Sequence, residues 1–270
     1  MDQLLQLLKT IPEYTAALEG LKSGQSAAVT GIGQINRSHM IAGLRRDLTR
    51  PMVLICQDEL AARRLQEELK DFLGETAPIL PSREFTFYDA AVVSRVWEQK
   101  RLRQLYDLAL GRTSLQIMSW EAMSQRTMPR QTLLEAAFTL EVGREYPIDD
   151  LIARLNAAGY SRCGMVEGPG QFAVRGGILD VYSPAEDQPV RAEFFGDELD
   201  TMGYFDADSQ RRSENADSVT ILPVGETQPH LHPGGMEGLC GDIRNLIARQ
   251  RRRKSTNEIL VATLEKDLEK

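Results

Sequence analysis

The chain has 270 residues, 42% of them hydrophobic and 26% charged, which is enough for one large or two ordinary soluble globular domains. A net charge of −7 excludes a nucleic-acid coat over the whole length and leaves only local basic patches for such contact. Cys56, Cys163 and Cys240 are odd in number, far apart and without a CxxC pair, so they indicate neither a disulfide framework nor a zinc site and fit a reducing, cytoplasmic setting. No apolar run approaches the ~20 residues of a membrane span, and no basic-then-apolar leader is expected at the start.

Leu4, Leu5, Leu7 and Leu8, then Leu18 and Leu21, predict helix over residues 2–22. Ala27–Thr30 is an expected short strand. It runs into Gly31-Ile-Gly-Gln-Ile-Asn36-Arg37-Ser38, and a helix is expected from His39 to Leu48. A glycine-rich loop between strand and helix is where phosphate is held, and the template is G-x-x-x-x-G-K-[ST]. Gly31 and Ser38 match it, but Asn36 stands for the second glycine and Arg37 for the lysine. Arginine does not replace that compact charge, whereas asparagine tolerates positive φ and is a partial substitute. From the residues alone the stretch is either a decayed nucleotide loop without productive ATP binding or an unrelated turn.

Met52–Cys56 is a continuous apolar strand, and Asp58 can cap a helix over Glu59–Leu73 that stops at Gly74. Pro78–Leu80 is a short strand, residues 94–110 a helix stopped by Gly111, and Leu115–Ser119 a further strand. Strands alternating with helices of this length predict a parallel sheet covered on both faces. In Phe85–Arg95 (FTFYDAAVVSR), the rings of Phe85, Phe87 and Tyr88 read as packing groups rather than base-stacking ones.

A boundary is expected near Arg126–Arg130. Ile148–Gly159 is an amphipathic helix presenting Leu151, Ile152, Leu155 and Ala158 on one face. Residues 170–212 then read as an antiparallel meander. Phe172–Val174 and Ile178–Tyr182 flank Gly176-Gly177, while Val190–Phe195 and Leu199–Phe205 flank Gly196-Asp197. Alternation puts Val190, Ala192 and Phe194 on one face, and Arg191, Glu193 and Phe195 on the other, with Arg175 on the preceding segment. Arginine beside an exposed aromatic is the composition of a protein-binding hot spot. The alternative is a core Phe195 with solvated arginines, or Glu193 paired to an arginine.

Val219–Leu222 is strand-like, and Gln228–Gly235 (QPHLHPGG) is a linker whose His230 and His232 lack a third metal ligand. Residues 236–270 read as helical. The basic run Arg249–Lys254 is a solvated face or, as a second reading, a phosphate contact. The charge alternation from Glu265 to Lys270 breaks off as if the helix continues. No motif places a nucleophile, histidine and carboxylate together, and Asp58-Glu59 and Asp197-Glu198 read as a helix cap and a turn.

The strings VRGGILDVYSPAE, RAEFFGDELD and FDADSQRR resemble the second domain of the nucleotide-excision-repair protein UvrB, and the matching module of the transcription-repair coupling factor family. The resemblance is dense over about 40 residues and continues more weakly across most of the chain. The altered phosphate loop, and the lack of room after Tyr88 for the long DNA-threading hairpin of UvrB, favour the coupling factors. The resemblance implies an α/β fold: a RecA-like (P-loop NTPase-like) parallel-sheet domain over 1–126, with an inserted α+β domain over 127–217. A return strand and linker would occupy 218–235, rejoining the first domain's sheet, and 236–270 would open a further helical domain. These correspond to UvrB-like domains 1A and 2 and the start of 1B.

The resemblance further implies a non-catalytic module that recruits the repair protein UvrA through Arg175, Arg191 and Phe195. Gly31, Asn36, Arg37 and Ser38 would form a degenerate phosphate loop, with no cofactor or metal in this chain. In intact family members a motor using ATP and Mg would engage duplex DNA, another domain would hold RNA polymerase, and no membrane would be involved. The alternatives are a UvrB fragment that binds ATP and damaged DNA, or a general DNA-binding module.

Overall fold

The computed structural model describes residues 2–83, 96–227, 232, 234–253 and 257–268. The aromatic segment Phe85–Arg95, His230 and Lys254 lie outside the described residues.

The chain opens with helix α1 (Asp2–Leu7), a 3-10 turn over Leu8–Thr10 and helix α2 (Pro12–Lys22), not one continuous helix. Pro12 is the reason: its ring forces Ile11 into extended backbone, and proline then serves as the first helical residue of α2. Leu5, Leu8, Tyr14 and Leu18 point into one core with Ala42 of helix α3 (Gln34–Asp47).

Strand β1 (Met52–Cys56), helix α4 (Glu59–Leu73), strand β2 (Ile79–Leu80), helix α5 (Val96–Ala109) and strand β3 (Leu115–Ser119) build a parallel sheet in the order β1-β3-β2. Asp58 caps α4 by accepting the Ala61 N–H at 2.7 Å, and Gly74 ends that helix in the left-handed region. Every residue of β3 is buried. One sheet face packs under α3 and α4 through Ala62, Leu69 and Ile117. The other carries Leu80 and Met118 against Ala122 of helix α6 (Trp120–Ser124). Helix α7 (Arg130–Ala136) packs on α5 through Leu133 and Leu102.

Ala27–Thr30 forms no strand. Two alanines carry little strand preference and bury little area, so nothing compels the segment to pair. As a result β1 is a sheet edge, with Val53 and Ile55 half exposed.

The second unit begins with strand β4 (Phe138–Glu141) and helix α8 (Ile148–Ala157). Strands β5 (Ser161–Arg162), β6 (Gln171–Arg175), β7 (Ile178–Val181), β8 (Val190–Phe195), β9 (Glu198–Phe205) and β10 (Arg212–Asn215) then form one six-stranded sheet. It is antiparallel from β6 to β10, and β5 joins β6 in parallel. Leu151 and Leu155 of α8 cover one face, made of Phe172, Leu179, Val181, Val190, Ala192, Leu199 and Met202.

Strand β11 (Ser218–Ile221) pairs antiparallel with β4 and not with the parallel sheet, contrary to the expected return. Its neighbour on the way back is the strand that opened the unit, so entry and exit zip together locally. The chain regains the first unit at Glu226, which reaches Arg101 of α5. Gln99 of α5 also donates to the Pro169 carbonyl at 3.0 Å, and Arg103 to Asp187 at 2.5 Å. Helices α9 (Gly235–Arg251) and α10 (Glu258–Leu268) pack on each other, with Arg251 bonded to Glu265.

A candidate partner-binding face

Two tight turns, Gly176-Gly177 between β6 and β7 and Gly196-Asp197 between β8 and β9, lie side by side at one end of the six-stranded sheet. Gly176 and Gly196 both take positive φ, the requirement of a two-residue hairpin, and the next residue in each does not. Phe194 N–H donates to the Gly177 carbonyl at 2.7 Å, tying the turns together. A Cβ on Gly177 would stand 2.9 Å from the Phe194 carbonyl, so the close approach needs glycine there.

Strict alternation along β8 sends Val190, Ala192 and Phe194 toward the core and Arg191, Glu193 and Phe195 the other way. The irregularity in the β8–β9 pairing falls on β9, where Glu193 opposes Thr201 and Phe194 opposes Leu199. The extra residue is Asp200, which allows both Leu199 and Met202 to reach the core. Phe195 is 84% exposed.

The sheet's second face is a charged grid. In register across it stand Ala173, Asp180, Arg191 and Gly203. The Asp180 side chain, 1% exposed, accepts from Arg175 Nη2 at 2.6 Å and from Arg191 Nε and Nη2 at 2.7 and 2.8 Å. The Arg191 guanidinium also stacks 4.7 Å from the Phe205 ring centre. The Asp180 hydrogen bonds raise its affinity for the proton above the usual arginine value despite partial burial. Arg212 Nη1 donates to Glu193 at 3.2 Å, and its guanidinium crosses over Gly203.

Arg175, Arg191 and Phe195 therefore share one face of the sheet, Arg175 and Phe195 at its turn end and Arg191 four residues back along β8, and the two arginines share one carboxylate. Glu193 takes Arg212 and neither of those two. Asp180 and Arg212 were not singled out from the sequence. A signal existed for the first: an aspartate inside the apolar run Ile178–Val181 must find a cationic partner when it is buried.

The four loop residues are arranged differently from the template. Gly31 has φ +78, but α3 already begins at Gln34, so Asn36, Arg37 and Ser38 are helical. The Arg37 N–H is spent on the Gly33 carbonyl at 3.0 Å. Ser38 is buried and donates its hydroxyl to Glu68 of α4, while Gln34 Nε2 donates to the other Glu68 oxygen at 2.5 Å. A cleft of about 420 Å³ opens between α3, α4 and the edge of β1, lined by Gln34, Arg37, Ile41, Arg64 and Glu68. Glu68 gives it a carboxylate, and Arg37 and Arg64 give it two guanidinium groups. Among the described residues no three His, Cys, Asp or Glu side chains gather to hold a metal, and no helix is long and apolar enough to cross a membrane.

Residues 138–226, which carry the grid and its two turns, match the UvrB interaction domain. Across its length the chain resembles transcription-repair-coupling factors. It is 33% identical over 79% of its residues to the one from Myxococcus xanthus, and 28% identical over 100% to the one from Bacillus subtilis. Against the Escherichia coli factor it is 28% identical over 80% of its residues. The chain spans about a fifth of the length of these relatives.

Proposed function

We propose that this chain is the amino-terminal UvrA-recruiting module of a transcription-repair-coupling factor and that UvrA docks on the grid end of the six-stranded sheet. The observation that carries this reading is Phe195, exposed at 84% at a two-residue hairpin on the face that also carries Arg175 and Arg191. An exposed ring on a face that also offers a guanidinium fits a partner pocket rimmed with carboxylates. The first unit is read as a RecA-like remnant and the chain as non-catalytic and cofactor-free, because Ser38 is committed to Glu68. In the intact, cytoplasmic protein, RNA polymerase, duplex DNA and an ATP- and Mg-driven motor would be the business of other domains.

The test is capture of purified UvrA by the immobilised 270-residue chain. Capture by wild type and its loss in Phe195→Ala support the reading. Equal capture by a folded Phe195→Ala variant refutes it.

A further inference from the structure

We propose that Asp180 is the positioning residue of this face: it holds Arg175 in the pose offered to the partner, and Arg191 is the strut that fixes the Asp180 carboxylate in place. The inference rests on the reading that the face binds UvrA. Asp180 is buried in mid-sheet beside Ala173, where an ionised carboxylate is tolerated only with close cationic donors. Arg191 supplies two of them from a side chain only 22% exposed, and its remaining face is covered by the Phe205 ring. It points inward and has little left to offer a partner. Arg175 is 52% exposed and spends a single Nη2 contact on Asp180. One nitrogen is thus anchored while the rest of the fork faces solvent. Within the ion pairs of the grid, three arginines (175, 191 and 212) meet two carboxylates (180 and 193). Preorganising a fork of five donors cuts the ordering cost of bidentate recognition of a carboxylate.

A double-mutant cycle on UvrA affinity tests this. Asp180→Asn and Arg175→Ala should each weaken binding roughly tenfold, the loss of one charge-assisted contact. Combined, they should be no weaker than Arg175→Ala alone, because Asp180 acts through Arg175. The melting temperature of Asp180→Asn should fall in both backgrounds, which separates its structural role from its positioning role. Should Asp180→Asn alone not fold, Asp180→Asn with Arg191→Gln removes the buried charge and its strut together and should show the same tenfold loss. Multiplicative losses in the cycle, or wild-type affinity in a folded Asp180 variant, overturn the inference. Phe195→Ala distinguishes the two levels. If it abolishes binding while the Asp180 variants bind normally, only the positioning role fails. If it binds normally, the reading of the face fails.

Discussion

Arg101 and Glu226, 125 residues apart in sequence, meet at 2.6 Å with neither side chain more than 1% exposed. Arg101 also donates to the Pro81 carbonyl at 2.6 Å, while its Nη2 and Glu226 Oε2 have no hydrogen-bond partner among the described residues. A buried pair left half satisfied positions two units more than it stabilises them. Glu226→Ala should cost about 3–5 kcal/mol, because it strands the Arg101 charge. That corresponds to a fall of about 10 °C in melting temperature. Arg101→Met with Glu226→Leu should recover most of it. A wild-type melt for Glu226→Ala would remove the pair from any role in joining the units.

Phe195 and Arg191 should separate cleanly in a melting experiment, although both lie on the proposed face. Phe195→Ala removes a ring that is mostly in water and should leave the melting temperature within about 1 °C. Arg191→Ala removes two bonds to a buried carboxylate and should cost about 1.5–3 kcal/mol. Loss of UvrA capture by Arg191→Ala must therefore be read beside its melt, and loss by Phe195→Ala need not be.

Gly203→Ala should destabilise the second unit by roughly 1–3 kcal/mol. Its Cβ would stand 2.6 Å from Arg212 Nε and 2.7 Å from the Glu214 carbonyl, and the latter is backbone that cannot swing away. Chemical denaturation of the variant decides it; an unchanged midpoint means β10 yields more easily than its pairing suggests.

Restoring the two altered loop residues should not restore nucleotide binding. Asn36→Gly with Arg37→Lys leaves Ser38 bonded to Glu68 and the helix starting at Gln34. Calorimetry with ATP and Mg should show no heat of binding for this pair of changes. Micromolar binding would mean that the two substitutions alone had closed the site.

Locally coded elements were legible in the sequence. Asp58 and Gly74 bracket α4 because cap and stop chemistry act within one turn, and β8 is placed residue for residue by alternation between the Ser183–Gln188 turn and Gly196-Asp197. What escaped was non-local. Whether Ala27–Thr30 pairs depends on a neighbour that four weakly apolar residues cannot attract. β11 found β4, about 80 residues back, because zipping a unit's two ends together is settled by the fold around them. The face of Arg191 followed from its own strand, but its partner stood on the adjacent one, where Glu193 was the nearer carboxylate in sequence.

The two-residue turn after Phe195 also restricts how this surface can change over time. A hairpin closed so tightly keeps its register only if residues are gained or lost in pairs, one from each strand. A single deletion in β8 would carry Phe195 to the core side and bring an inner residue out. Asp200, the unpaired residue of β9, is the one place on this hairpin where a lone insertion or deletion can be absorbed. Related chains should therefore differ at the tip by substitution or by even steps in length, with odd steps confined to the Asp200 position.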